Sequence, residues 1–289
     1  MIAHTNAFTA QPSAQYRRND AFYYQYDGAW MLAITAAAVG LYASGWVPWI
    51  TEYSQWSHMY FLWLLPLYYV HVQLNVFVHN CCHGNFSRSI NRLVGEVCGL
   101  LVMTRYASWE ILHTRHHKYS DDPEQDPHPV HPNFAMYLYY TMLFNVERQL
   151  QNIRYHQFGD TPENRRKELH RALLSYATMG GLLACVLLAV GPWVTLFLFL
   201  PTQVLGWLHV SHFNWVTHNP YDPDGDYKPI NLDRGLFWLG NRIWFGLYMH
   251  GNHHRRANIF NPLKMDEVVA QRRLAREGSK PGLVNPVRD

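Results

Sequence analysis

His113-Thr114-Arg115-His116-His117 places three imidazoles in five residues, between the two most apolar regions of the chain. On a helix, positions i, i+3 and i+4 share one face, so the three rings can converge on a single point. Two further stretches have the same grammar: His79 and His83 at i, i+4, and His250, His253 and His254 at i, i+3, i+4. Eight of the chain's 18 histidines fall in these three short boxes, and such clustering of imidazoles points to metal.

Working outward from the boxes, the chain of 289 residues is long enough to bury a sizeable core. Its mean hydropathy of −0.23 resembles that of a soluble protein, but the mean hides two regions without Lys or Arg, Asn19 to Ser87 and Ala172 to Tyr227. Within the first, Ala29 to Ile50 and His58 to Val78 are each apolar for about the 20 residues that a bilayer crossing needs. Within the second, Ala172 to Val190 and Trp193 to Val210 flank a Gly191-Pro192 break. The expected architecture is therefore all-α: two transmembrane hairpins, four spans in total, with a helical cap carrying a dinuclear metal site. Leu93 to Thr104 and Leu236 to Met249 are shorter, contain charges and are expected to lie at the membrane interface. No repeat or linker divides residues 1–289, so one membrane-embedded domain is expected.

The connections Thr51 to Ser57 and Gly191-Pro192 contain none of the 24 basic residues, which predicts that both termini and all three boxes face the cytoplasm. Met1 to Asp27 lacks the pattern of a signal peptide. Cys81, Cys82 and Cys98 would then lie on the reducing side, and no structural disulfide is expected. Cys81 and Cys82 form no CxxC pair and are read as packing beside the metal. Net charge is only +3 and no basic stripe is interleaved with aromatics, which argues against nucleic acid as a partner. The expected surroundings are a lipid bilayer and an apolar substrate.

A zinc hydrolase needs three or so protein ligands plus water, fewer than this chain offers. Two metals sharing the imidazoles would take four or five each and keep positions open for oxygen, and a dinuclear iron centre uses them all. A metal transporter would place histidine and acidic groups along its spans, whereas here the histidines concentrate outside them.

The three boxes, His79-Asn80-Cys81-Cys82-His83, His113 to His117 and His250-Gly251-Asn252-His253-His254, resemble the HxxxH, HxxHH and HxxHH boxes of the membrane fatty acid desaturase and hydroxylase superfamily. Asp121-Asp122-Pro123 and Asp126-Pro127 are similar to its acidic Asp-Pro element, and Asn214-Trp215-Val216-Thr217-His218 to its NxxxH element. The resemblance covers roughly Val78 to Asn261. It implies a non-haem di-iron site with O2 as co-substrate and electrons from an external donor of the ferredoxin, rubredoxin or cytochrome b5 type. The implied reaction is desaturation of a fatty acyl or similar lipid chain, with hydroxylation on the same site as the alternative. The metal ligands it implies are His79, His83, His113, His116, His117, His218, His250, His253 and His254, with Asn214 and His212 as possible additions.

Many members carry an acidic residue where this chain has Asn80, so Glu110, three residues before His113, is the expected replacement to orient a ligand ring. Of the acidic loop, Asp122 and Asp126 are the candidates to accept from ligand imidazoles. His71 is expected to be a satisfied neutral imidazole lining the substrate path. His128 and His131, in a Pro-rich loop, are expected on the surface.

Overall fold

The computed structural model describes residues 22–225 and 227–278, and among these every regular element is a helix. Both termini, on which part of the orientation argument rests, lie outside the described residues. Helix α1 (Phe22–Ala43) is followed by the short α2 (Trp46–Tyr53) and then by α3 (Tyr60–Cys82), which ends in the first histidine box. Helices α4 (Asn91–Leu101) and α5 (Tyr106–Tyr119) come next, α5 bearing the second box. A π-helical stretch, Tyr137–Asn145, leads into α6 (Val146–Phe158). Then come α7 (Pro162–Val194), a second π stretch (Thr195–Phe199) and α8 (Leu200–Val216). Last are α9 (Leu236–Ile243), α10 (His250–Arg255) with the third box, and α11 (Met265–Gly278).

Two helical stretches are long and apolar enough to cross a membrane, Tyr60–Cys82 and Pro162–Val216, and a third counts if α1 and α2 form one segment bent by 73°. The first expected span, Ala29 to Ile50, is thus cut short. Gly45 adopts φ 74°, a left-handed conformation that glycine enters without steric cost, and it turns the chain after Ala43.

The second stretch is not straight either. Gly191 has φ 77° and ψ 171° inside it, with Pro192 next, and the neighbours change sides there. Before the break, Ser175 donates to Asp27 near the start of α1, Gly181 lies against Ile34, and Ala189 O accepts from Trp46 Nε1. At the break, a Cβ on Gly191 would fall 2.7 Å from Ser54 Oγ, so only glycine fits. After it, Gly206 faces His71 on α3, and α8 ends beside the histidine boxes. The chain therefore follows α1 to one end of the bundle and returns along α3.

At the box end, charge ties the bundle together. Asp27 on α1 is 2% exposed and pairs with Arg105 at the start of α5, while Ser175 Oγ of α7 donates to its other oxygen at 2.8 Å. Three helices that are distant in sequence meet at this one carboxylate.

Candidate metal centre

Each box sits on an element whose ends are fixed by its own polar residues. His79 lies in the last turn of α3 and His83 caps it. Asn91 Nδ2 donates to Cys81 O, and Asn80 donates to Val76 O while accepting from Asn85. On α5 the 3.6-residue period aligns His113, His116 and His117. Helix α10 has six residues, too few to be stable alone. It is held by Asn231, whose Oδ1 accepts from Asn252 N, and by Asn252, whose Nδ2 donates to Pro262 O. His218 follows α8 directly, and Thr217 O accepts from Ile230 N.

These elements gather nine imidazoles into two adjoining groups: His79, His83, His113, His117 and His253 in one, His116, His218, His250 and His254 in the other. In the first group His79 Nε2 and His253 Nε2 are 2.7 Å apart, His83 and His113 Nε2 2.8 Å, His117 and His253 Nε2 3.0 Å, and His117 and His113 Nε2 3.1 Å. In the second, His250 Nε2 stands 3.1 Å from both His218 Nε2 and His254 Nε2. His117 and His254 stack across the two groups at 4.3 Å between ring centres.

The donor set fits metal. Two nitrogens at about 2.1 Å from one ion and at right angles to each other are about 3.0 Å apart, close to the observed spacings. His116 Nε2 is buried without a hydrogen-bond partner, an arrangement that is costly unless something else takes its lone pair. Burial first, and neighbouring rings second, hold His113, His117, His250, His253 and His254 well below the ordinary imidazole range, which keeps these rings neutral and able to ligate.

Carboxylates orient two of the rings from behind. His116 Nδ1 donates to Asp126 at 2.8 and 2.9 Å, and His218 Nδ1 donates to both oxygens of Asp121 at 2.9 Å. Such a bond fixes the tautomer and leaves Nε2 facing the site. For His116, burial lowers the pKa, but the facing Asp126 carboxylate outweighs it and raises it overall. Asp126 also accepts from the backbone N–H of Asp121 and of His128, so one fully buried side chain organises the whole acidic loop. Asp126→Asn is expected to weaken metal binding about 10- to 100-fold while the protein stays folded. Metal titration of the purified variant checks this, and an unchanged affinity would remove Asp126 from the site.

Several residues are placed differently from the sequence expectations. Asp122 caps the loop through the N–H groups of Glu124 and Gln125 and hydrogen-bonds to no imidazole among the described residues, and Asp121 stands behind His218 instead. Glu110 accepts from Arg92 Nη1 at 2.5 Å and reaches no imidazole among the described residues. His128 is not a surface residue: it is 2% exposed and packs against Trp109 and His116, and burial lowers its pKa to about 3. His212 sits between Phe134 and Trp215, outside both groups, and Asn214 Nδ2 donates to Tyr137 Oη at 3.1 Å. The cysteines are free; Cys81, Cys82 and Cys98 pack in an apolar cluster with Val78, Val102 and Tyr106.

Beside the first group lies a cavity between α3, α5 and α8, lined mostly by apolar residues such as Val72, Val76, Val102, Val210 and Phe213, with His71, Asn75, Thr104 and Asn214 as polar exceptions and His79 and His113 in its wall. A metal centre that opens onto an apolar cavity can act on a carbon chain.

Comparison with known proteins gives the same direction. The family model described as fatty acid desaturase matches residues 54–260. The chain is 32% identical over 102 residues to an sn-1 oleoyl-lipid 12-desaturase of Picosynechococcus sp. (strain ATCC 27264 / PCC 7002 / PR-6). That match covers 34% of this chain and 27% of the relative, so the chain spans about a quarter of the relative's length. No solved structure matches.

Proposed function

Because the chain belongs to the fatty acid desaturase family, we propose that it is an O2-dependent oxidoreductase that introduces a double bond into a fatty acyl or similar lipid chain at a di-iron centre. The observation that carries the proposal is the gathering of nine imidazoles from four separate segments into two adjoining groups, next to an apolar cavity. His79, His83, His113, His117 and His253 would hold one iron and His116, His218, His250 and His254 the other, with His212 and Asn214 outside the set. Two irons with O2 and an external electron donor supply the oxidation of an unactivated C–H bond, which no protein acid, base or nucleophile can attack.

The rest is done by the chain's own residues. Asp126 and Asp121 hold the His116 and His218 rings in one tautomer and one orientation. Val76, Val102 and Phe213 exclude water and hold a lipid chain beside His79 and His113, so that one carbon lies at the site and not its neighbours. The similar Picosynechococcus protein is a lipid desaturase, which favours desaturation over hydroxylation.

For the membrane arrangement we propose four crossings, α1, α3 and the two halves of the stretch that turns at Gly191, with the metal centre on the cytoplasmic side. Support comes from the reversal of neighbours at Gly191 and from the absence of basic residues at both turns. A tag at Glu52 should be reachable only from the far side, and finding it on the same side as a tag after Asp289 would overturn the arrangement.

The reaction itself is tested by mass spectrometry of lipids from cells with and without the protein. Lipids lighter by two hydrogens are the expected change. Lipids heavier by one oxygen would replace desaturation with hydroxylation, and an unchanged profile under aerobic, iron-replete growth would contradict both.

A further inference from the structure

His71 lies on α3 two turns before His79, about 12 Å away along the helix axis, in the far wall of the cavity that reaches the metal centre. It is 4% exposed. The opposite helix is shaped to receive it: a Cβ on Gly206 of α8 would fall 1.8 Å from His71 Cδ2 and 2.1 Å from Nε2. The ring is thus clamped in the wall of the cavity. Asn75, one turn on, also lines the cavity and donates to His71 O at 3.0 Å.

Among the described residues nothing hydrogen-bonds to the His71 ring, contrary to the expectation of a satisfied imidazole. An ionisable side chain at membrane depth is costly, and it is kept where it lines a path or meets a partner. A buried imidazole without a hydrogen bond loses free energy for the same reason. At this end of the cavity the His71 ring, Asn75 and the Trp207 indole N–H form a small polar spot beside Val72 and Val210, in a wall that is otherwise apolar, and no protein group fills the position facing the imidazole. The missing partner is then supplied by what fills the cavity.

We propose that the far end of the cavity is a subsite for a neutral oxygen, hydroxyl or carbonyl, borne by the lipid chain, and that His71 is the residue that binds it. The proposal rests on reading the cavity as the substrate site, and it narrows the substrate class to an oxygen-bearing chain whose oxygen sits about two helical turns from the reacting carbon. His71 acts here as a specificity-determining residue, and Gly206 makes room for it.

The test is equilibrium binding to the metal-loaded protein in detergent, followed by the fluorescence of Trp109 and Trp207 in the cavity wall. The probes are octadecane, octadecanol and methyl stearate at equal mole fraction in the micelle. Wild type should bind one or both oxygen-bearing probes about three- to tenfold more tightly than octadecane, as one net hydrogen bond provides. Preference for octadecanol alone assigns the hydroxyl, and preference for methyl stearate the carbonyl. His71→Leu should bring the ratio to about one with metal content unchanged. Gly206→Ala, which displaces the ring without removing it, should do the same.

Equal binding of all three probes to wild type would overturn the proposal, as would a preference that survives both substitutions. The readout is independent of turnover. A His71-dependent preference in a protein that desaturates no lipid would keep the subsite and remove the reaction. Desaturation without any such preference would keep the reaction and remove the subsite.

Discussion

His218→Ala is expected to reduce turnover to less than about one hundredth of wild type and to remove about one of the two metals, while the protein still inserts and stays folded. His218 lies outside the three boxes and completes the smaller group, 3.1 Å from His250 Nε2, with Asp121 behind it. It follows α8 and contributes to no span, so its loss empties a metal position without disturbing the bundle. His212→Ala is the matched control. Six residues earlier, its ring packs on Phe134 and Trp215, and metal content should not change. Should the two outcomes be reversed, the ligand is His212 and the placement of His218 is wrong.

Asp27→Ala is expected to destabilise the folded protein by about 3–5 kcal/mol, the cost of removing one partner from a buried ion pair. Arg105 is 8% exposed, and its guanidinium would remain buried without its carboxylate. Ser175 Oγ would lose its acceptor at the same time, so the junction of α1, α5 and α7 loosens. Arg105 begins the helix that carries the second box, so weaker metal retention at raised temperature should accompany the lower unfolding midpoint. A shift worth less than about 1 kcal/mol would mean that water reaches the pair, as it does at surface salt bridges.

The clustering of the histidines was legible because its grammar is local. Rings at i, i+3 and i+4 declare a shared helical face wherever they occur, but they do not meet at the single point expected: His113 and His117 join one group and His116 the other. What the sequence left open depends on how the chain turns between elements. Asp121 and Asp122 are neighbours of the same type, but Asp121, at φ 65°, is the one that reaches His218, while Asp122 accepts from the N–H groups of Glu124 and Gln125. His128 belongs to a Pro-rich loop that would ordinarily be exposed, and its burial comes from packing on Trp109 and from the Asp126 carboxylate that fixes its backbone. Glu110 has the right spacing from His113, but Arg92 on the preceding helix α4 claims it first.

The spans show the same division. Hydropathy marks the apolar stretches, because lipid demands length and excludes charge. It does not show that Gly45 ends α1 at Ala43, whereas the Gly191-Pro192 break was legible, and Gly191 leaves the helical conformation there.

The dinuclear reading is tested most directly by the iron content of fully active protein, purified from cells grown with iron and compared with chain concentration from amino-acid analysis. Two groups of imidazoles, five and four, predict about two irons per chain. One metal per chain at full activity would contradict the account.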